Sequence, residues 1–196
     1  MIGAIENGIL DLLKNAGGVA LLGYDYQTLE SFPDDWETYL GANSTKIIKS
    51  PGAWVTFGGW RKLEQTNSRL QVEGTFGLVV AAKNLRNQRE QRHGGTAGEV
   101  GSFQLVEDAA KLLLGQTLGL DIEGFDIGAC QYAQLGELLR KKGLNMLALQ
   151  LTTKWWVDRT YFNPADDIGD FETFAGDWDL PPVTGVDLRT QTTLPT

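Results

Sequence analysis

The sequence predicts an α+β domain in which two helices pack on one face of a mostly antiparallel or mixed sheet, followed by an extended C-terminal arm. The helix and strand patterns follow the order α-β-β-β-α-β-β, which is typical of this fold class. Of the 196 residues, 42% are hydrophobic, which is enough for one core. Residues 158–196 hold eight acids against two bases and four of the six prolines. We therefore expect a domain over residues 1–157 and an acidic, aromatic arm over residues 158–196.

Two segments have the three- and four-residue spacing of apolar side chains that predicts a helix. The first is Ile2–Ala16, and the two glycines after it are expected to end it. The second runs from about Phe103 to Thr117, with Ser102 as its N-cap. The apolar stripe of the second helix is expected to consist of Phe103, Val106, Ala110, Leu113 and Leu114.

Five runs have the composition of β-strands. The strongest is residues 69–82, in which apolar and polar side chains alternate. The run Ala53–Phe57 is short, because the glycine pair at positions 58 and 59 is expected to end it. The remaining runs are Tyr24–Leu29 within Val19–Ser31, Ile127–Leu135 and Leu144–Val157, with a basic turn at Arg140–Gly143 before the last.

The residue types of catalytic and metal sites are scarce. With one His and one Cys, the chain can form neither an internal disulfide nor a Cys/His zinc site. His93 has no nucleophile or orienting acid placed beside it by a motif, so we interpret it as a solvated loop residue. Cys130 lies in an alternating run and is expected to be a buried, inert thiol. The sequence therefore predicts no enzyme, no cofactor and no metal.

Two other motifs bear on ligand binding, and overall charge bears on partners. The segment Gly94–Gly101 lacks the Gly-Lys-Ser/Thr ending of a phosphate loop and contains Glu99, so we expect a flexible connector. The pairs Asp34-Asp35 and Asp166-Asp167 lack the spacing of a calcium loop and are expected to be hydrated. The net charge of −8 argues against a nucleic-acid coat, and no apolar run approaches the ~18 residues of a membrane span. These features predict a soluble protein of a reducing compartment.

The polar run Lys83–Arg92 is a candidate for partner binding. It carries arginines at steps of three, namely Arg86, Arg89 and Arg92. A long loop rich in Arg and Asn is suited to contact a protein or a phosphate group. The alternative is a hydrated crossover loop.

The arm is a second candidate, because it contains Phe171, Phe174 and Trp178. A disordered acidic tail usually lacks such aromatic residues, so these side chains need a surface to pack on. Either the arm folds back on its own domain, or it lies across a neighbouring subunit.

Five short segments of the domain, in their order along the chain, carry a resemblance to a known family. They are the helix Ile2–Ala16, the turn Ser31–Asp35, the strand Pro51–Val55, the strand exit Val80–Arg86 and the late helix Leu105–Leu114. Together they resemble the small tail proteins of Mu-like contractile-tailed phages, encoded near the sheath and assigned as tail terminators. The phrases Ala-Lys-Asn-Leu-Arg and Phe-Pro-Asp-Asp carry most of the resemblance, which covers about residues 1–157.

The resemblance implies a structural virion protein without catalytic residues. A terminator is a ring, here expected to be a hexamer, that caps the tail tube and sheath at the head-proximal end of the tail. It joins the tail to the neck or connector protein and is assembled in the host cytoplasm. DNA is then only cargo passing through the channel, and no membrane is involved. The alternatives are a neck or tail-completion protein and, in a different class, a carbohydrate- or receptor-binding module that uses Trp155, Trp156 and Trp178.

Overall fold

The structure, a computed structural model, describes residues 1–17, 21–33, 39, 49–83, 88–95, 99–133, 144–159, 173–178 and 188–193. The chain forms two compact units, Met1–Val157 and Asp158–Thr196, which we call unit 1 and unit 2. Among the described residues, no helix is both long enough and apolar enough to span a bilayer.

The described helices of unit 1 are α1 (Ile2–Ala16), α2 (Gln88–His93) and α3 (Ser102–Leu113). The bounds of α1 confirm the prediction, and its buried side chains are Ile5, Ile9, Leu13 and Ala16. The short helix α2 occupies part of the run interpreted from the sequence as a contact loop.

The helix α3 ends at Leu113 and not at Thr117. Its last turn is followed by Gly115, which takes a left-handed conformation with φ of 71°. The N–H of Gly115 donates to the carbonyl of Phe125 at 2.9 Å, so the backbone after the helix is directed away from the helix axis.

The predicted apolar stripe of α3 is confirmed at Val106 and Leu113 and was wrong at its other three residues. Its buried side chains are Ser102, Leu105, Val106, Ala109 and Leu113, whereas Phe103 and Ala110 are partly buried and Leu114 is 63% exposed. Ser102 is not the N-cap, which is Gly101. The Ser102 hydroxyl is 2.7 Å from the amide oxygen of Asn145, and this partner lets a polar residue begin the buried face.

Five strands form a mixed sheet in unit 1: β1 (Thr28–Ser31), β2 (Gly52–Gln65), β3 (Arg69–Lys83), β4 (Asp126–Tyr132) and β5 (Leu144–Asp158). Their spatial order is β1-β2-β3-β5-β4. The pair β1 and β2 is parallel, whereas β2 with β3 and β4 with β5 are antiparallel. The two helices and the mixed sheet confirm the α+β class, and β3 and β5 confirm the two longest predicted strands.

Three predicted strand boundaries were wrong. The strand predicted from Tyr24 begins only at Thr28, because its pairing with β2 starts there, at Gly52. The strand β2 runs past Gly58 and Gly59 to Gln65, since a register shift between Phe57 and Gly59 absorbs the glycines and the pairing resumes. The strand predicted from Ile127 begins one residue earlier, and its expected end at Leu135 lies outside the described residues.

Both long helices contribute to one core on a single face of the sheet. Alternate residues of β3, including Val72, Phe76 and Leu78, share this core with side chains of α1 and α3. Phe76 is fully buried, and its ring centroid lies 5.2, 6.5 and 6.4 Å from those of Phe57, Phe125 and Trp155, respectively.

A second, smaller core covers the opposite face near one end of the sheet. It consists of Trp54, Val79, Ala81, Leu144 and Met146. The indole N–H of Trp54 lies 3.4 Å from the Tyr39 hydroxyl, which donates to Glu30 at 2.9 Å. This end of the sheet is therefore buried on both faces.

The described residues of unit 2 form a two-stranded antiparallel sheet, β6 (Thr173–Trp178) with β7 (Leu188–Thr193). Phe174 pairs with Thr192 and Trp178 pairs with Leu188. The arm, read from the sequence as extended and without periodicity, thus contains regular backbone pairing.

Two buried tyrosines predict how stability responds to alkaline pH. Burial raises the pKa of Tyr26 to about 12 and also raises the pKa of Tyr24, whose hydroxyl donates to Asp108 at 3.3 Å. The unfolded value is about 10, so folding favours the protonated phenols. The contribution of Tyr26 to stability is complete below pH ~10 and is lost as the pH rises through about 12.

We expect the free energy of unfolding of Tyr26→Phe to fall less steeply between pH 8 and 11 than that of the parent. Urea unfolding at fixed pH values measures this. Tyr132→Phe, which alters an exposed ring, serves as the control and should follow the parent. Equal slopes for Tyr26→Phe and the parent would contradict the assignment.

Candidate interaction surfaces

Unit 1 has two unlike ends, set by the direction of its long strands. At one end, which we call the base, Gly52 pairs with Ala81, and the N–H of Lys83 donates to the Ser50 hydroxyl at 2.9 Å. At the other end, the tip, the strands β2 and β3 are joined by a turn in which the N–H of Thr66 donates to the carbonyl of Arg69 at 2.8 Å. The strand β5 begins at the base, in the small core, and ends at the tip.

The arginines predicted to contact a partner differ in their surroundings. Arg89 is exposed on α2, and Arg92 is half-buried on the same helix. The guanidinium carbon of Arg92 lies 5.6 Å from the ring centroid of Tyr132, the last residue of β4, a cation–π arrangement. Arg86 lies outside the described residues. The arginine run therefore leads to the base, where Arg89 faces solvent and Arg92 is held by Tyr132.

His93 and the glycine-rich segment after it also lie at α2. His93 is exposed, as predicted, but it is the last residue of α2 and not a loop residue, and its ring meets that of Phe103 edge-on at 5.2 Å. The N–H of Gly95 donates to the carbonyl of Glu99 at 3.2 Å, and a Cβ at Gly101 would collide with the backbone of Arg92. The described ends of Gly94–Gly101 are thus packed, in contrast to the predicted flexible connector.

The tip presents exposed tryptophans. Trp60 is 50% exposed and Trp156 is 37% exposed. The Trp60 ring packs against the buried ring of Trp155, with centroids 6.1 Å apart. The guanidinium carbon of Arg69 lies 5.7 Å from the centroid of the Trp156 ring. These contacts hold in place the end of the β2–β3 hairpin, which α1 and α3 do not cover.

Charged pairs also hold the tip. The guanidinium of Arg61 donates to the carboxylate of Glu73 across β2 and β3, and this hydrogen bond lowers the pKa of Glu73. The ammonium of Lys154 donates to Glu123 at 2.8 Å. Both pairs are exposed enough to be screened by salt, so they fix geometry more than they add stability.

The described side chains Trp60, Trp155 and Trp156 do not form one sugar-stacking platform. Trp155 is 2% exposed and belongs to the main core. Because consecutive residues of a strand point to opposite faces, Trp156 lies on the face opposite Trp155 and its neighbour Trp60. One flat ligand cannot stack on Trp60 and Trp156 together. The side chain of Trp178, the third candidate, lies outside the described side chains.

Cys130 differs from the prediction of a buried thiol. It is exposed, because β4 is the outermost strand of the described sheet and a register shift separates Ile127 from Cys130. Partial burial of the sulfur still raises its pKa, which disfavours the reactive thiolate. Among the described residues, no three His, Cys, Asp or Glu side chains are grouped to hold a metal ion.

The other predicted contact residues and acid pairs are only partly described. Phe174 and Trp178 lie in β6, while Phe171, Asp34-Asp35 and Asp166-Asp167 lie outside the described residues. Sequence reasoning missed Trp60, Leu63 and Tyr132 as exposed apolar side chains. For Trp60 and Leu63, a usable signal was the mixture of Trp, Leu and charged residues directly after the two glycines.

Comparison with known proteins identifies a family for unit 1. The family model described as "Bacteriophage Mu, Gp37" matches residues 1–156, and thus nearly the whole α+β unit. No curated protein matches the chain.

Proposed function

Since the chain belongs to the Bacteriophage Mu Gp37 family and is therefore a phage structural protein, we propose that it is a tail terminator. As such it forms a ring that caps the tail tube and sheath at the head-proximal end and joins the tail to the neck or connector protein. The family match over residues 1–156 is the observation that carries the proposal, because it agrees with the resemblance in the order of elements and short phrases.

The geometry of unit 1 supports assembly into a ring. Cyclic rings use heterologous contacts, in which two different patches of each subunit meet. The base and the tip are such patches, since one presents Arg89 and Tyr132 and the other presents Trp60 and Trp156. Six copies would make a closed ring around a tube. In this role the protein acts by occupying the growing end of the tail, without catalysis, cofactor or metal.

The acidic charge of the chain suits a conduit for DNA. A net charge of −8 per subunit disfavours binding of phosphates, so DNA would pass through the ring as cargo. This role places the protein in the virion, after assembly in the host cytoplasm.

We expect phage lacking this protein to make tails of uncontrolled length, because nothing stops the growth of tube and sheath. Electron micrographs of tails from the deletion strain, with and without the protein supplied in trans, measure this. Tails of normal length that remain unattached to heads would instead favour a neck or tail-completion protein. Normal tails on normal heads would overturn both roles.

A further inference from the structure

The base of unit 1 is basic although the chain is acidic. Its described cations are Lys49, Lys83, Arg89 and Arg92, of which the first three are exposed. The described acids of the small core, of α2 and of the segment after it are Glu30, Glu90 and Glu99, of which only Glu99 is exposed. Exposed cations therefore outnumber exposed acids in this part of a chain whose net charge is −8.

An accessible aromatic ring lies beside these cations. Tyr132 is 48% exposed at the end of the outermost described strand. It contacts Arg92, whose Nε is buried without a hydrogen-bond partner among the described residues. A surface that combines guanidinium groups with an exposed ring fits an acidic segment that also carries aromatic side chains.

Residues 158–196 have this complementary composition. They carry eight acids against two bases and include Phe171, Phe174 and Trp178. The described part of this segment has the regular backbone pairing of β6 with β7.

The place where this segment leaves unit 1 favours a contact with another copy. The strand β5 starts at the base with Leu144 and ends at the tip with Asp158. Its 15 residues span about 45 Å at ~3.3 Å per residue. The acidic segment therefore begins at the end of unit 1 far from the basic residues, and a head-to-tail ring brings the tip of one copy towards the base of the next.

We propose that the acidic segment 158–196 of one copy binds the basic base of the next copy, around Lys83, Arg89 and Tyr132. This inference rests on the ring of the proposed function. It makes the association of copies dependent on ionic strength, because exposed charges are screened within about 10 Å at 0.1 M salt.

Charge reversal on each side tests the pairing. In the purified full-length protein at low salt, Lys83→Glu with Arg89→Glu should weaken self-association by about tenfold or more, measured by sedimentation. Asp166→Lys with Asp167→Lys and Asp170→Lys should do the same, and combining both sets should restore most of the association. The control Lys14→Glu with Lys111→Glu, which makes the same change of charge at exposed positions of α1 and α3, should associate as the parent does. Reversals without effect, or a combination without recovery, overturn the proposal.

The single cysteine distinguishes contact between copies from contact within one chain. Cys130 is exposed on β4, two residues from Tyr132. A second cysteine placed at Asp166, Asp170, Asp177 or Asp187, one at a time, should form intermolecular disulfides on mild oxidation, seen as multimers on a non-reducing gel. The multimers should shorten to dimers or vanish when Cys130→Ser is added. A cross-linked monomer, no cross-link with Cys130, or a protein monomeric at low salt overturns the proposal.

These outcomes are separable from those of the proposed function. The deletion experiment reads tail length, whereas charge reversal and disulfides read association of the purified protein. Long tails on deletion together with failed rescue leave the terminator role in place and remove this docking mode. Restored association in the combined charge-reversal variant, together with normal tails in the deletion strain, would keep this docking mode and remove the terminator role.

Discussion

Phe76→Ala is expected to lower the free energy of unfolding by roughly 3–5 kcal/mol, the usual cost of truncating a buried Phe. Its ring is fully buried on β3 and contacts three other aromatic rings, so the remaining cavity has rigid walls that cannot easily collapse. Urea unfolding monitored by tryptophan fluorescence measures the loss.

Truncation of a less buried Phe tests whether the loss of stability at Phe76 depends on its burial. Phe103 on α3 is only partly buried, and Phe103→Ala should cost clearly less than Phe76→Ala because less apolar area returns to water. A loss below about 1 kcal/mol at Phe76 would contradict its place at the centre of the core.

Gly74→Ala is expected to destabilise unit 1 by about 1–3 kcal/mol, the usual cost of overpacking a core. A Cβ at this position would overlap the six-membered ring of Trp155, and that ring is buried and pinned by Phe76 and Trp60. The measurement is again the free energy of unfolding in urea.

Two variants make the cause of the Gly74 effect testable. Gly77→Ala changes the same strand in the same way, but its Cβ would meet only a Thr56 methyl at 3.0 Å, so it should cost less. Gly74→Ala should cost less in a Trp155→Phe background than in the parent, because the smaller ring makes room for the Cβ. If the two substitutions are additive, the overlap with Trp155 is not the cause.

Long periodic segments could be predicted from the sequence because one physical requirement decides them. In α1, four buried side chains repeat at helical spacing and no polar group interrupts them. In β3, alternate residues enter the main core over most of the strand. In both elements, the spacing of apolar residues along the sequence therefore shows which face is buried.

Features that depend on a distant partner could not be predicted. The second half of β2 is a strand only because β3 supplies its hydrogen bonds beyond the two glycines. Ser102 enters the core only because Asn145 accepts its hydroxyl. Cys130 is exposed because no described strand lies beyond β4, and position in a sheet is not encoded by alternation.

The candidate surfaces show the same limit. The arginine run drew attention to α2, but the contact between Arg92 and Tyr132 joins residues forty positions apart. The exposed tip was missed, since the strand was expected to end at Phe57, before Trp60, whereas β2 continues to Gln65.

The course of β5 also has a mechanical consequence. The chain enters this strand at the base, leaves it at the tip, and lies beside β3 and β4 along the way. A pull applied between the base and the outgoing chain is directed along the strand, so it acts on the flanking hydrogen bonds in shear. Bonds loaded in shear share the force and break together, whereas bonds loaded by peeling break one after another. A subunit fixed at its base and pulled through its C-terminal segment would therefore resist a sudden axial load with the full length of its longest strands.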